Sequence, residues 1–191
     1  MPITIDGNGT IAGLSAGGLP DNSITASEMF SGFKNGITES DQWRLTTNIT
    51  NVVAQTVLST NWERADSYGA GYVGTGMTQS SGVFTFPSTG IWLIQFQGYI
   101  SVDGSQRYNN FVIQTTTNNS TYSDAAQAGQ FISRTNANYT IGSIYAFFIF
   151  NVTDTTNCKV RFTQSCEGTA GVIGGDTNAN ITSVNFTRLG A

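Results

Sequence analysis

The sequence predicts an all-β fold, an antiparallel sandwich of the jelly-roll type preceded by a short N-terminal arm. Residues 80–102, SSGVFTFPSTGIWLIQFQGYISV, have the pattern of a short strand, a turn punctuated by Pro87 and Gly90, and a long aromatic strand. Similar strand-and-turn segments follow through the rest of the chain, and no convincing helical pattern occurs after residue 45. No internal repeat of about 20–50 residues is visible, which argues against solenoids and propellers.

The composition argues against several classes of function. Of 191 residues, 39% are apolar and only 10% are charged, so Thr, Ser, Asn and Gln must supply most of the polar surface. The net charge is −4 and the few basic residues are scattered, which argues against binding of nucleic acid. The absence of histidine removes the commonest general base and zinc ligand. We therefore predict no enzymatic activity and no cofactor. No apolar run approaches the roughly 20 residues that span a bilayer, so we predict no membrane insertion.

Residues 1–45 are predicted to form a docking arm. The run ITIDGNGTI at residues 3–11 has the pattern of a small hairpin. Thr25 and Glu28 have the spacing of a capping box, which predicts a short helix ending near Gly36. The apolar residues are too few to form a core of their own, so we expect them to pack against a partner; the alternative is a mobile leader. The predicted docking residues are Ile3, Ile5, Ile11, Leu14, Leu19, Phe30 and Phe33.

Residues 46–191 are predicted to form the jelly-roll domain. We expect loops where Gly or polar residues cluster, at residues 67–76, 118–129 and 167–180. Runs of apolar and β-branched residues predict a strand or a strand pair at 49–58, and single strands at 83–86, 91–102, 109–117, 139–152, 159–164 and 181–189.

Two of these strands differ in how their faces are expected to be covered. In residues 91–102, the even-numbered positions are apolar and the odd-numbered face ends in Gln95, Gln97 and Tyr99, so one face is expected to be wetter. In residues 139–152, both faces are apolar, and each therefore needs cover. We predict that one face lies in the sandwich and that another copy of the chain covers the other. The alternative is cover by a long loop of the same chain.

The segment GVFTFPSTGIWLIQF at residues 82–96 resembles the signature of C1q-like and tumour-necrosis-factor-like jelly rolls, in which G-x-F-x-x-P-x-x-G-x-Y-x-F links two adjacent strands. Here Trp92 stands at the usual Tyr position. The closing run SVNFTRL at 183–189 is similar to the last strand of that fold. The resemblance implies a compact homotrimer packed about a threefold axis by aromatic faces. The expected trimer-interface residues are Tyr145, Phe147, Ile149, Trp92 and Phe186.

The opening residues resemble those of marine-phage virion proteins, through ITIDGNGTIAGL at 3–14 and GGLPD at 17–21. No collagen-like Gly-X-Y run occurs, which favours a viral structural use of the fold. The expectation is a homotrimeric bacteriophage surface protein, assembled in the host cytoplasm, that docks through residues 1–45 on the capsid or tail. It would serve in capsid decoration or as a tail fibre that contacts a bacterial glycan or protein. The alternative is a secreted, non-catalytic carbohydrate-binding module, against which the lack of a signal-peptide pattern argues.

Several residue types are candidates for chemistry. Cys158 and Cys166 are expected to be buried free thiols, because eight positions along one strand separate them too far for a disulfide unless the segment folds back. Acidic residues are compatible with calcium ligands, but ordinary turn formation is the better interpretation, and metal binding stays open. The acidic candidates for calcium are Asp103, Asp124, Asp154 and Asp176, and those for a glycosidase pair are Glu63, Asp66 and Glu167. The aromatic candidates for sugar recognition, or alternatively for packing at strand ends, are Trp62, Tyr68, Tyr72, Tyr108 and Tyr122.

Overall fold

A computed structural model describes residues 36–50, 52–134, 139–168 and 171–190, together with the backbone of two short strands near the N-terminus. The chain divides into two compact units, Met1–Asn35 and Gly36–Ala191. In the first unit, β1 (Thr4–Ile5) pairs antiparallel with β2 (Ile11–Ala12), as the predicted hairpin requires. The predicted helix and the docking residues Ile3, Leu14, Leu19, Phe30 and Phe33 lie outside the described residues.

The second unit, here called the head, is built from strands, and every strand pairing in it is antiparallel. No helix able to cross a membrane occurs in the ranges given above. The strands are β3 (Ser40–Leu45), β4 (Ile49–Thr50), β5 (Thr56–Val57), β6 (Trp62–Arg64), β7 (Thr78–Ser80), β8 (Val83–Thr85), β9 (Gly90–Val102), β10 (Gln106–Thr116), β11 (Ser123–Ile132), β12 (Thr140–Val152), β13 (Lys159–Cys166), β14 (Gly171–Ile173) and β15 (Ser183–Gly190).

These strands form two sheets. Sheet 1 has the order β4-β14-β9-β15-β3-β6, and β12 pairs with β9 along its whole length. Sheet 2 has the order β11-β10-β13-β8-β7, and β5 also pairs with β13. Sequential strands are often not neighbours, since β15 at the end of the chain lies between β9 and β3. The all-β jelly-roll prediction is thereby confirmed.

The centre of sheet 1 is β9, whose two faces differ as the sequence predicts. Its even-numbered residues are buried throughout and its odd-numbered residues are half-buried. Gly98 lies on the buried face, where a Cβ atom would come within 2.4 Å of the Phe111 ring of sheet 2. The two sheets therefore approach each other closely at Gly98, where no larger residue fits without a shift.

An aromatic core fills the space between the sheets. Phe162 of sheet 2 has its ring centroid 4.7 Å from that of Phe96 and 5.5 Å from that of Phe84. Phe186 of β15 completes the cluster, 5.3 Å from Phe84, and all four side chains are fully buried. Offset and edge-to-face pairs of this kind add to the free energy gained by apolar burial.

Charged side chains fix the segment 66–77 to sheet 1. Asp41, almost fully buried, accepts hydrogen bonds from Arg64 (3.0 Å), from the Trp43 indole (2.9 Å) and from the backbone N–H of Met77 (2.7 Å). On the opposite face of β3, buried Arg44 donates to two carboxylates. Buried charges need such partners, because their desolvation is costly.

Two sequence expectations are corrected in the head. The polar segment 118–129, predicted as a loop, contributes most of β11. At 49–58, where a strand or a strand pair is predicted, the structure has the two short strands β4 and β5. Residues 40–45, assigned to the arm, form β3 of sheet 1, so the sheet begins before residue 46. Cys158 and Cys166 are buried free thiols, as expected.

Candidate functional site: an exposed apolar face on sheet 1

The most prominent surface feature of the head is the outward side of β12. Four large apolar side chains alternate along it, and each is between 53 and 59% exposed. Their even-numbered neighbours Ile144, Ala146 and Phe150 are buried in the core, so the exposure belongs to one side of the strand only. We call this surface the β12 face; it consists of Ile141, Tyr145, Phe147 and Ile149.

The β12 face lies at an edge of sheet 1. On one side, β9 places Gln97 opposite Tyr145, Gln95 opposite Phe147, and Leu93 opposite Ile149. On the other side, β12 has no strand partner among the residues that the structure describes. Amide side chains therefore border an apolar row that stands next to an unpaired strand edge.

The predicted trimer-interface residues separate into two groups. Tyr145, Phe147 and Ile149 all lie on the β12 face, within one stretch of a single strand. Trp92 and Phe186 lie in the core between the sheets and are at most 1% exposed. This corrects their assignment to a contact surface: β9 and β15 direct these two side chains inward.

The candidate calcium ligands are not brought together. Asp154 caps a turn by accepting from the Thr156 backbone N–H at 2.7 Å, and this bond is the main reason that its pKa is lowered. Asp176 caps residues 178–179 in the same way, Asp124 accepts from Gln114, and Asp103 faces Arg134. No group of three or more His, Cys, Asp or Glu side chains suited to a metal ion occurs within the described ranges.

The candidate glycosidase carboxylates are each paired with arginine. Glu63 and Asp66 both accept from Arg44, at 2.9 and 2.6 Å. Glu167 belongs to a different part of the surface, where it accepts from the backbone N–H and the guanidinium of Arg107. These bonds lower the pKa of Glu167, chiefly through the backbone donor, and raise the pKa of Arg107 through the side-chain bond. For Glu167 the lowered pKa favours a structural carboxylate over a proton donor, and Glu63 and Asp66 share a single arginine partner.

The candidate sugar-binding aromatics are dispersed. Trp62 is half-buried and packs edge-on against Phe84. Tyr72 lies over the Arg64 guanidinium at 4.5 Å, and Tyr122 over that of Arg161 at 3.9 Å. Desolvation raises the pKa of Tyr122. Tyr68, at 90% exposure, is the most open of the set.

An exposed aromatic side chain that the sequence analysis did not select is Phe131, near the end of β11. It is 76% exposed, and it lies beside Tyr108 and the Arg107–Glu167 pair. Tyr108 is one of the predicted sugar-binding aromatics, and Glu167 is one of the predicted glycosidase carboxylates. The available signal was the alternation Ala126, Ala128, Gln130 against Gln127, Gly129, Phe131, which consists mostly of small and polar residues and therefore resembles a loop.

Comparison with known proteins supports the fold and goes no further. No protein-family model and no curated protein sequence matches the chain. Among solved structures, Eiger TNF from S. frugiperda is similar over 81% of this chain and 94% of its own, with a TM-score of 0.60 and 11% identity. Murine APRIL at pH 8.0 is similar over 79% of this chain and 98% of its own, with a TM-score of 0.55 and 12% identity. The structure at pH 5.0 gives a TM-score of 0.55 and 10% identity, with the same coverage. At such low identity the likeness concerns the fold alone, and the head has a TNF-like jelly-roll fold.

Proposed function

We propose that this protein is a homotrimeric surface component of a bacteriophage particle, whose head self-associates through the β12 face and whose N-terminal segment docks on the capsid or tail. The observation that carries the proposal is the row of four exposed apolar side chains at an unpaired strand edge. Contiguous apolar surface of this kind is unusual on a monomer and typical of protein interfaces. The threefold symmetry is what the sequence resemblance to C1q-like and TNF-like jelly rolls implies.

The energetics favour cover by another protein surface. Complete burial of a large apolar side chain is worth about 1.5–3 kcal/mol, so covering the exposed half of four such side chains would contribute about 4 kcal/mol per copy. Because only 10% of the residues are charged, few charges are available to keep separate copies apart. A closed homotrimer covers the same face on every copy.

The virion assignment rests on the sequence of residues 1–45 and on composition. The apolar residues of this segment are sparse, and its opening resembles that of phage virion proteins. Two buried free thiols are compatible with assembly in a reducing host cytoplasm. A binding role without catalysis is supported by Glu63, Asp66 and Glu167, each of which is held by an arginine.

Sedimentation equilibrium of the full chain tests the self-association. A single species of three times the 20.4 kDa chain mass is expected at micromolar concentration, and a well-folded monomer would refute the homotrimer. Docking is tested separately, by deleting residues 1–35 and measuring incorporation into particles assembled in the presence of the variant. The variant should still contain three copies and should lose incorporation, whereas undiminished incorporation would contradict docking through this segment.

A further inference from the structure

A cleft on the outer side of sheet 2 combines aromatic and hydrogen-bonding groups. Phe131, 76% exposed, stands between two adjoining depressions of about 460 and 380 Å³, and Arg107 also lines both. Tyr108 and Gln127 line the larger depression, and Glu167 lines the smaller one. Both depressions are shallow and open to solvent, and they bring an apolar ring together with a few polar groups, a combination that ligand sites use for orientation and specificity.

A glycine keeps the floor of the larger depression low. Gly129 of β11 pairs with Asn110 of β10, and the Asn110 amide oxygen lies only 2.2 Å from where a Cβ atom on residue 129 would stand. A side chain at position 129 would therefore push the Asn110 amide, the far end of a flexible side chain, out of its present position. The φ angle of Gly129 is not in the left-handed region, so the close approach of this amide, and not backbone conformation, distinguishes the position.

The charges around Phe131 favour a neutral ligand. The guanidinium of Arg107 is paired with the carboxylate of Glu167, so this pair adds no net charge to the cleft. The remaining polar groups of the larger depression are the amides of Asn110, Gln127 and Gln130 and the Tyr108 phenol. Amides donate and accept hydrogen bonds with hydroxyl groups, and an exposed ring offers an apolar face on which a flat, C–H-rich surface can lie.

We propose that the Phe131 cleft binds a neutral saccharide, with one sugar ring stacked on Phe131 and its hydroxyls bonded to Asn110, Gln127 and the Arg107–Glu167 pair. Saccharides are the ligands that combine an apolar ring face with hydroxyls around its rim, which is the combination that this cleft complements. The site lies on sheet 2, whereas the β12 face belongs to sheet 1. The inference deepens the proposed surface role by locating a receptor-binding site, and it rests on that role only for its biological meaning.

The test uses the full chain and an array of neutral oligosaccharides (gluco-, galacto-, manno-, rhamno- and N-acetylhexosamine series), followed by calorimetric titration of every positive probe. Binding is expected, and Phe131→Ala should weaken it by about tenfold, as loss of a stacked ring does. Gly129→Ala should also weaken it, since the added methyl group displaces the Asn110 amide. Tyr68→Ala removes a ring that is more exposed than Phe131 and lines neither depression, so it is the control and should bind like the wild type.

Absence of binding to every probe at millimolar concentration, or equal binding by the Phe131→Ala variant, would overturn the proposal. Thermal unfolding and light scattering of each variant separate the remaining outcomes. A Phe131→Ala variant that stays folded but changes its oligomeric mass would assign Phe131 to a contact between copies and would also overturn it. A monomeric wild type that binds saccharide through Phe131 would refute self-association and leave the saccharide site standing.

Discussion

Replacement of Phe147 by aspartate tests the β12 face most directly. The Phe147 side chain is 56% exposed in the single chain, so its cover in an assembly is worth about half the burial of a phenylalanine, or about 1.5 kcal/mol. An aspartate at the same position would in addition place an unpaired carboxylate in a closed apolar contact, which brings the expected loss to at least about 3 kcal/mol per copy. Three equivalent contacts per assembly multiply this effect, so dissociation should be complete at micromolar concentration.

Sedimentation velocity measures the outcome, and the matched control is Tyr68→Asp. Tyr68 is a more exposed aromatic residue outside sheet 1 and outside the Phe131 cleft, so its replacement introduces the same charge without touching the β12 face. The Phe147→Asp variant should sediment as a monomer. Its circular dichroism should match that of the wild type, because the Phe147 side chain lies on the outward side of β12 and not in the core. The control should keep the wild-type mass.

A folded Phe147→Asp variant with the oligomeric mass of the wild type would contradict association through the β12 face. Dissociation of both variants would contradict it equally, because the assembly would then respond to net charge and not to the β12 face. A monomeric wild type removes the basis of the prediction altogether.

Two further predictions concern the stability of the head. Gly98→Ala should lower the free energy of unfolding, measured in urea, by about 1–3 kcal/mol, because its methyl group would meet the buried Phe111 ring at 2.4 Å. The control Gly71→Ala, at an open position, should change this free energy by less than about 0.5 kcal/mol. Equal effects of the two substitutions would contradict the close approach of the sheets. In the folded protein the pKa values of Asp154 and Glu167 are both lowered from their ordinary values of 3.8 and 4.5. The two carboxylates therefore stabilise the fold at pH values above these ordinary values, and this stabilisation is lost as the pH falls through the lowered pKa values of the folded state. The melting temperature should therefore fall on acidification, and Asp154→Asn combined with Glu167→Gln should flatten that fall; an unchanged pH profile would contradict the assignment.

The strands that the sequence predicts well are those with a strong period of two. In β9 and β12, large apolar residues recur at alternate positions, and this pattern identifies the strand and its buried face together. Phe147 and Ile149 were selected for this reason. Trp92 was misassigned because parity shows which residues share a face but not whether that face meets the second sheet or another molecule.

The features that the sequence does not predict depend on partners far away in the chain. The strand β11 consists largely of small and polar residues, and it becomes a strand because β10 supplies its hydrogen-bonding partner. Arg44 is fully buried although arginine is usually exposed, and only its pairing with Glu63 and Asp66 makes this possible. The Phe131 cleft is assembled from β10, β11 and Glu167, so no local pattern could reveal it.

On the proposed function, the β12 face also constrains how copies can associate. An apolar row beside an unpaired strand edge favours association between copies, and a contact that joins two different surfaces of the chain continues without limit unless geometry closes it. With only 10% charged residues, the chain has little electrostatic repulsion with which to prevent open-ended growth. A closed ring of three copies solves this problem, because every β12 face is then covered and none remains to recruit a fourth chain.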